Sequence, residues 1–181
     1  MKTTIYLVRH CEATGQEPKA ILTEVGKKQA SALAEYFTYR NVKTIISSPW
    51  TRAVKTIEPL ARQKKVSIKT DERLQERILS SEDLIDWYEK LGETFKDYDL
   101  SFSGGESSRI AQKRVVKALQ SAIDSHEEPI VVVTHGNLLT LLLNHYDKKY
   151  GFKEWEELRN PDVFVLTKDK EDFTLDREGV L

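Results

Sequence analysis

The sequence predicts an α/β fold: a three-layer αβα sandwich with a mostly parallel central sheet, helices on both faces and a C-terminal edge hairpin. Three observations carry this. Short β-branched runs alternate with longer amphipathic segments along most of the 181 residues, the order that crossover-connected parallel strands produce. The run 130–133, Ile-Val-Val-Val, is continuously apolar, as a central strand covered on both faces must be. Two short final runs, 163–167 and 173–175, are separated by a charged turn and read as a hairpin.

Each element follows from local chemistry. Residues 4–8, Thr-Ile-Tyr-Leu-Val, make a first buried strand that runs into Arg9-His10. A polar loop with Gly15 and Pro18 leads to Thr23, a good N-cap, and Glu24, which suits a first helical turn. Val25, Ala30, Leu33, Tyr36 and Phe37 share one face of that helix, expected to run to about Arg40. Residues 42–47 form a second strand, and Ser48-Pro49 supplies a cap and a first residue for the next helix, to about Arg62. Residues 65–69 alternate polar and apolar, a third and more exposed strand. From 71 to 106 eleven acids stand against four bases, which reads as an acidic excursion over the sheet with one helix at about 81–91 capped by Ser81. A Gly104-Gly105 turn precedes a long helix, 107–125, with Ala111, Val115, Ala118, Leu119 and Ala122 on its apolar face. The central strand then ends in His135-Gly136-Asn137, followed by a Leu-rich helix to about His145. Residues 1–181 are read as one domain, with the excursion its small elaboration.

Bulk properties exclude whole classes of function. A net charge of −1 is wrong for a dedicated nucleic-acid or anionic-membrane binder, which needs a basic excess. The longest apolar runs, such as 138–143, are far too short to span a bilayer. One cysteine makes no internal disulfide and fits a reducing compartment. The N-terminus has no basic segment ahead of a long apolar core. A cytoplasmic protein with no nucleic-acid or membrane partner is expected; the oligomeric state is not encoded in any feature.

Three strand-to-helix junctions carry the same chemistry. One ends in Arg9-His10, one leads into Arg52, and one ends in His135-Gly136-Asn137. Carboxyl ends of parallel strands converge on one ligand site. Two arginines, two histidines and two helix N-termini there favour a phosphate.

These residues fall within longer motifs. Arg9-His10-Cys11-Glu12, Leu22 to Ala30, Ser47 to Thr56, Leu74-Gln75-Glu76, Gly104 to Ser107 and Thr134 to Gly136 follow one another in the order and spacing of a known family. The chain resembles the histidine phosphatase superfamily, the phosphoglycerate-mutase-like group, over roughly residues 3–143, and the C-terminal third adds little. The resemblance implies that His10 is the nucleophile and forms a phosphohistidine. It implies that Arg9, Arg52 and His135 hold the phosphoryl oxygens, and that Glu76 protonates the leaving alkoxide and later activates water. It places Gln16 against the phosphate. Thr23 is either a substrate contact or a plain N-cap, and Gly136 and Asn137 are secondary contacts, with Asn137 also readable as a helix cap. Glu106 reads as structural, His126 as solvated and His145 as a helix-end residue. No metal or other cofactor is implied.

One residue departs from the family pattern. Cys11 stands where Gly is usual; it reads first as a tolerated substitution, strained only if the backbone there needs a positive φ or a close approach, and second as a redox-sensitive thiol at the pocket rim beside cations that favour thiolate. The chain is short for a mutase of this group, so a phosphatase acting on a small phosphomonoester is expected: a sugar phosphate, a phosphorylated acid or a nucleoside monophosphate. The alternatives are a cofactor-dependent phosphoglycerate mutase, a non-catalytic phospho-ligand or protein-binding module on the same fold, and a metallohydrolase using His10 and His135. The absence of an Asp/Glu/His cluster at ligand spacing disfavours the last.

Overall fold

In the computed structural model, which describes residues 2–125 and 127–179, β1 (Lys2–Arg9), β2 (Thr44–Ser47), β3 (Ile68–Thr70), β4 (Ile130–Thr134), β5 (Asp162–Asp169) and β6 (Asp172–Glu178) form one sheet. The strand order is β3-β2-β4-β1-β5-β6. The first four are parallel, and β5 and β6 add an antiparallel edge. The expectation for His126 falls outside the described residues.

Strand alternation divides the core. Ile5 and Leu7 of β1 and Ile130 and Val132 of β4 face one side, under α4 (Ser108–Ser125) and α5 (Gly136–Tyr146). Tyr6, Val8, Val131 and Val133 face the other, under α1 (Glu24–Tyr36) and α2 (Thr51–Lys64). A strand buried on both faces must be apolar at every position, which is why β4 reads as an unbroken run. Among the described residues no helix is long and apolar enough to cross a membrane.

Several element boundaries differ from expectation for physical reasons. α1 stops at Tyr36, not near Arg40: the Arg40 guanidinium donates to the Tyr36 carbonyl (2.5 Å) and lies over its ring, closing the helix end. α2 starts at Thr51, because the Ser48 N–H still bonds the Val133 carbonyl of the sheet. β3 is Ile68–Thr70, because the Val66 N–H is still closing the end of α2 on the Ala61 carbonyl. The helix of the excursion is α3, Trp87–Lys96, and Ser81 does not cap it. Ser81 instead donates its N–H and hydroxyl to the Ser103 carbonyl, which pins the chain as a loop. A short α6 (Phe152–Glu156) was not anticipated.

Gly26 of α1 is set by a close approach. A Cβ there would lie 2.0 Å from the Glu12 carbonyl oxygen. Alanine in a helix is ordinarily worth about 1 kcal/mol over glycine. Here Gly26→Ala should destabilise by about 1–3 kcal/mol through backbone overlap, read as a lower urea midpoint with unchanged slope.

Candidate active site

The sheet order places β2, β4 and β1 side by side, so the three junctions open onto one end of the sheet. Arg9 is the last residue of β1, Thr134 of β4 and Ser47 of β2, and in the register Arg9 pairs with Thr134. The site therefore rests on three adjacent buried strands.

His10 is buried, and its ring is fixed on both sides. Nδ1 lies 2.7 Å from the Cys11 carbonyl, which can only accept, so Nδ1 carries the proton. Nε2 is then the bare nitrogen, and it accepts from Arg52 Nε at 3.0 Å. Burial, more than the neighbouring Arg52 and Arg9 charges, pushes the His10 pKa down to about 3 against the hydrogen bond to Cys11. The ring is neutral across the physiological range.

Arg52 has no solvent exposure. Its Nη1 donates to the carbonyls of Gln16 (3.1 Å) and Glu17 (2.9 Å), and its plane lies over Trp50. Arg9 is anchored from the far end of the chain, its Nη1 donating to the Leu158 carbonyl at 2.9 Å. His135 precedes α5; its Nε2 is 2.7 Å from Ser48 Oγ, and its edge meets Trp50 and His10. Ser48 Oγ accepts from the Trp50 N–H and can donate its own proton to His135 Nε2, the tautomer in which Nδ1 is an N–H donor. Burial first, then His10 and the arginines, pushes His135 well below the ordinary histidine range. Arg9 Nε, Arg52 Nη2 and His135 Nδ1 are buried and have no protein partner. Gly136 lets Arg9 in: a Cβ there would sit 3.1 Å from Arg9 Nε.

Glu76 lies at the N-terminus of α5. Its Oε2 accepts from the Asn137 N–H (3.0 Å), and its Oε1 from Leu138 (2.9 Å) and Arg77 (2.8 Å). Its backbone is pinned by Arg114, which donates to the carbonyls of Arg73, Gln75 and Glu76, and Thr134 Oγ1 holds the Leu74 carbonyl. Glu106 pairs with Arg114 at 2.6 Å, a structural placement.

Arg9, His10, Gln16, Glu76, Gly136 and Asn137 all line one cleft of about 350 Å³. Thr23 does not: its hydroxyl accepts from the Gly26 N–H and donates to Glu12, the N-cap alternative. Asn137 does not cap α5 with its side chain; the Glu76 carboxylate takes the first free N–H groups instead. His145 lies in the last turn of α5.

Cys11 is a tolerated substitution and not a thiol at the rim. Its backbone is not left-handed, so no strain follows from the missing glycine. Its side chain is fully buried with Leu22 and Ala30 rather than at the rim. Burial pushes the thiol up to about 12, the opposite of an activated thiolate.

Some site residues carried little sequence signal. Thr56 Oγ1 accepts the Cys11 N–H and so holds the loop after His10; Thr56 and Ser48 lay inside a recognised motif without an assigned role. Asn160 donates to the His10 carbonyl at 2.8 Å. With Leu158, it gives the C-terminal third a part in the site that no motif announced. Among the described residues no cluster of three His, Cys, Asp or Glu has metal-binding geometry.

The buried neutral histidines have a consequence for stability. An unfolded histidine titrates near 6.5, whereas folded His10 does so near 3 and His135 well below 6.5. Below pH 6.5 the unfolded chain binds protons that the folded chain refuses, so stability falls as pH falls. From pH 7 to 5 His10 should cost about 2 kcal/mol, and His135 acts in the same direction. Urea unfolding at both pH values should show this, with a smaller loss in His10→Asn.

The sequence profile of the histidine phosphatase superfamily (branch 1) matches residues 5–180. A Hydrogenobacter thermophilus protein provisionally named phosphoserine phosphatase 2 is 30% identical over 151 residues, 75% of this chain and 74% of its own. The solved structure of Bacillus stearothermophilus YhfR superposes with a TM-score of 0.80 at 25% identity, covering 99% of this chain and 98% of the other. A mycobacterial glucosyl-3-phosphoglycerate phosphatase has a TM-score of 0.77 at 23% identity, covering 98% of each chain, and so shares the fold. The chain belongs to the histidine phosphatase superfamily, branch 1, and is a phosphatase of that family.

Proposed function

We propose that the protein is a metal-independent phosphomonoesterase that works through a phosphohistidine on His10 and acts on a small phosphorylated metabolite. The observation that carries this is the set of three buried, unpartnered nitrogens, Arg9 Nε, Arg52 Nη2 and His135 Nδ1, around a neutral His10 whose bare nitrogen is Nε2. They supply N–H donors for a phosphoryl group as charge shifts during transfer, which is most of what this reaction needs. A phosphoryl oxygen takes the Arg52 N–H now held by His10 Nε2 and frees that lone pair. Nε2 attacks phosphorus, the ester P–O bond breaks, and Glu76 gives its proton to the departing alkoxide. Glu76 then takes a proton from water, whose oxygen displaces His10 and yields inorganic phosphate. Gln16 and Asn137, at the cleft wall, are secondary contacts. Sugar phosphates, phosphorylated acids and nucleoside monophosphates are the substrate classes, and the setting is cytoplasmic.

Hydrolysis of p-nitrophenyl phosphate should be unaffected by EDTA. Acid-labile, base-stable label should appear on the protein during turnover of a radiolabelled ester. EDTA-sensitive activity, or absence of any phosphoenzyme, would overturn the reading. The role of Glu76 has its own signature. Glu76→Gln should lower kcat/KM, which reports phosphorylation of His10 and not the later attack of water, by about 10²–10⁴ for alkyl phosphates and far less for p-nitrophenyl phosphate, because nitrophenolate leaves without a proton. Capping loss at α5 affects both substrates alike, so their ratio isolates proton transfer.

A further inference from the structure

The cleft lining combines two chemistries. Arg9 and His10 are joined there by Leu79, Trp87 and Leu91 of the excursion and by Trp155 of α6. The indoles are braced. Trp155 stacks on Phe152 (5.4 Å between centroids), Tyr88 packs on Phe152, and Trp87 meets Tyr88 edge-on at 5.8 Å. Trp87 nevertheless keeps 51% exposure, so it presents free surface. A second depression of about 240 Å³ shares Leu79 and Trp87 with the cleft and is bordered by Glu82 and Asp83.

Apart from Arg9, which the phosphoryl group takes, the cation of the lining is Arg77, and it is occupied. It is buried, Nε and Nη2 donate to the Glu106 carbonyl (3.1 and 2.8 Å), and Nη1 donates to Thr94 and Ser108 hydroxyls. Turning it toward a second carboxylate would break bonds that hold the excursion to α4. A carboxylate on the leaving group would also meet Glu82 and Asp83 beside the cleft. The leucine and indole faces offer a polyhydroxyl sugar few hydrogen-bond partners and favour an apolar group over it.

We propose that the leaving group is a neutral alcohol bearing a flat apolar or aromatic group, seated on Trp87 and Trp155. This rests on the phosphatase reading above and narrows it. Alcohols carrying a carboxylate, and hexoses, are poor leaving groups here despite the substrates named for relatives.

The test compares kcat/KM for 2-phenylethyl phosphate, ethyl phosphate, glucose 6-phosphate, O-phosphoserine and 3-phosphoglycerate. All leave as aliphatic alkoxides, so aryl activation does not set the order. The phenylethyl ester should exceed the ethyl ester at least ~10-fold, with the other three at or below the ethyl ester. Trp87→Ala should bring the phenylethyl-to-ethyl ratio near one, and Trp87→Phe should keep most of it. That ratio is insensitive to a simple loss of folded enzyme. Equal or faster turnover of phosphoserine, 3-phosphoglycerate or glucose 6-phosphate overturns this proposal alone, as does a ratio unchanged in both Trp87→Ala and Trp155→Ala. Hydrolysis of none of the esters overturns the phosphatase reading, and this one with it.

Discussion

His10→Asn should lose at least ~10⁴ in kcat, accumulate no phosphoenzyme, and still bind inorganic phosphate. Asparagine keeps an N–H that can reach the Cys11 carbonyl, now 2.7 Å from His10 Nδ1, so the loop after β1 has its usual anchor. What it cannot offer is the lone pair of Nε2. Arg9 Nε, Arg52 Nη2 and His135 Nδ1 remain in place as donors, and Arg52 Nε, relieved of its bond to His10, becomes a fourth. Single-turnover labelling and calorimetric titration with phosphate separate the two effects. Loss of phosphate binding together with turnover would mean that His10 organises the pocket rather than attacks.

Arg52→Met should cost about 10²–10³ in kcat/KM without a matching cost in stability. The guanidinium is fully buried with no carboxylate hydrogen-bonded to it; its partners are two carbonyls, His10 and the Trp50 face. Burial pushes its pKa down and outweighs the nearby Glu76 and Glu17 carboxylates, with Arg9 adding to the burial effect. An apolar side chain of similar length carries no such desolvation cost. The unpaired Gln16 and Glu17 carbonyls lie in an exposed loop, where water can replace the lost donor. Thermal melts should therefore show an unchanged or raised midpoint beside the kinetic loss. A large drop in the midpoint would show that Arg52 holds the fold as well as the phosphate, and that the pocket is not built at the expense of stability.

Most of the elements were legible because each rests on local chemistry: β-branched runs, helical periodicity, Thr23 as a cap. The errors cluster where a distant group overrides local preference. Ser81 looks like a cap until Ser103 claims it, and Arg40 ends α1 by folding back on Tyr36. Cys11 is the sharper case. Its surroundings in sequence are Arg9, His10 and Glu12, which suggest an exposed thiol; its neighbours in space are Leu22 and Ala30, and burial reverses the expected reactivity.

What the sequence determined alone was the α/β order, the three junctions and the identity of the residues they carry, because strand period, capping and motif spacing are local properties of a chain. Tertiary structure decided everything that depends on which atoms end up unpaired. It chose the proton-bearing nitrogen of His10, set Glu76 on the N-terminus of α5, and brought Leu158 and Asn160 from the last third to anchor Arg9 and His10. It also brought aromatic side chains of the excursion and α6 into the cleft that holds Arg9 and His10. Apart from the His10–Cys11 contact, those outcomes follow from burial and hydrogen-bond satisfaction between segments 61 to 150 residues apart, which no local pattern encodes.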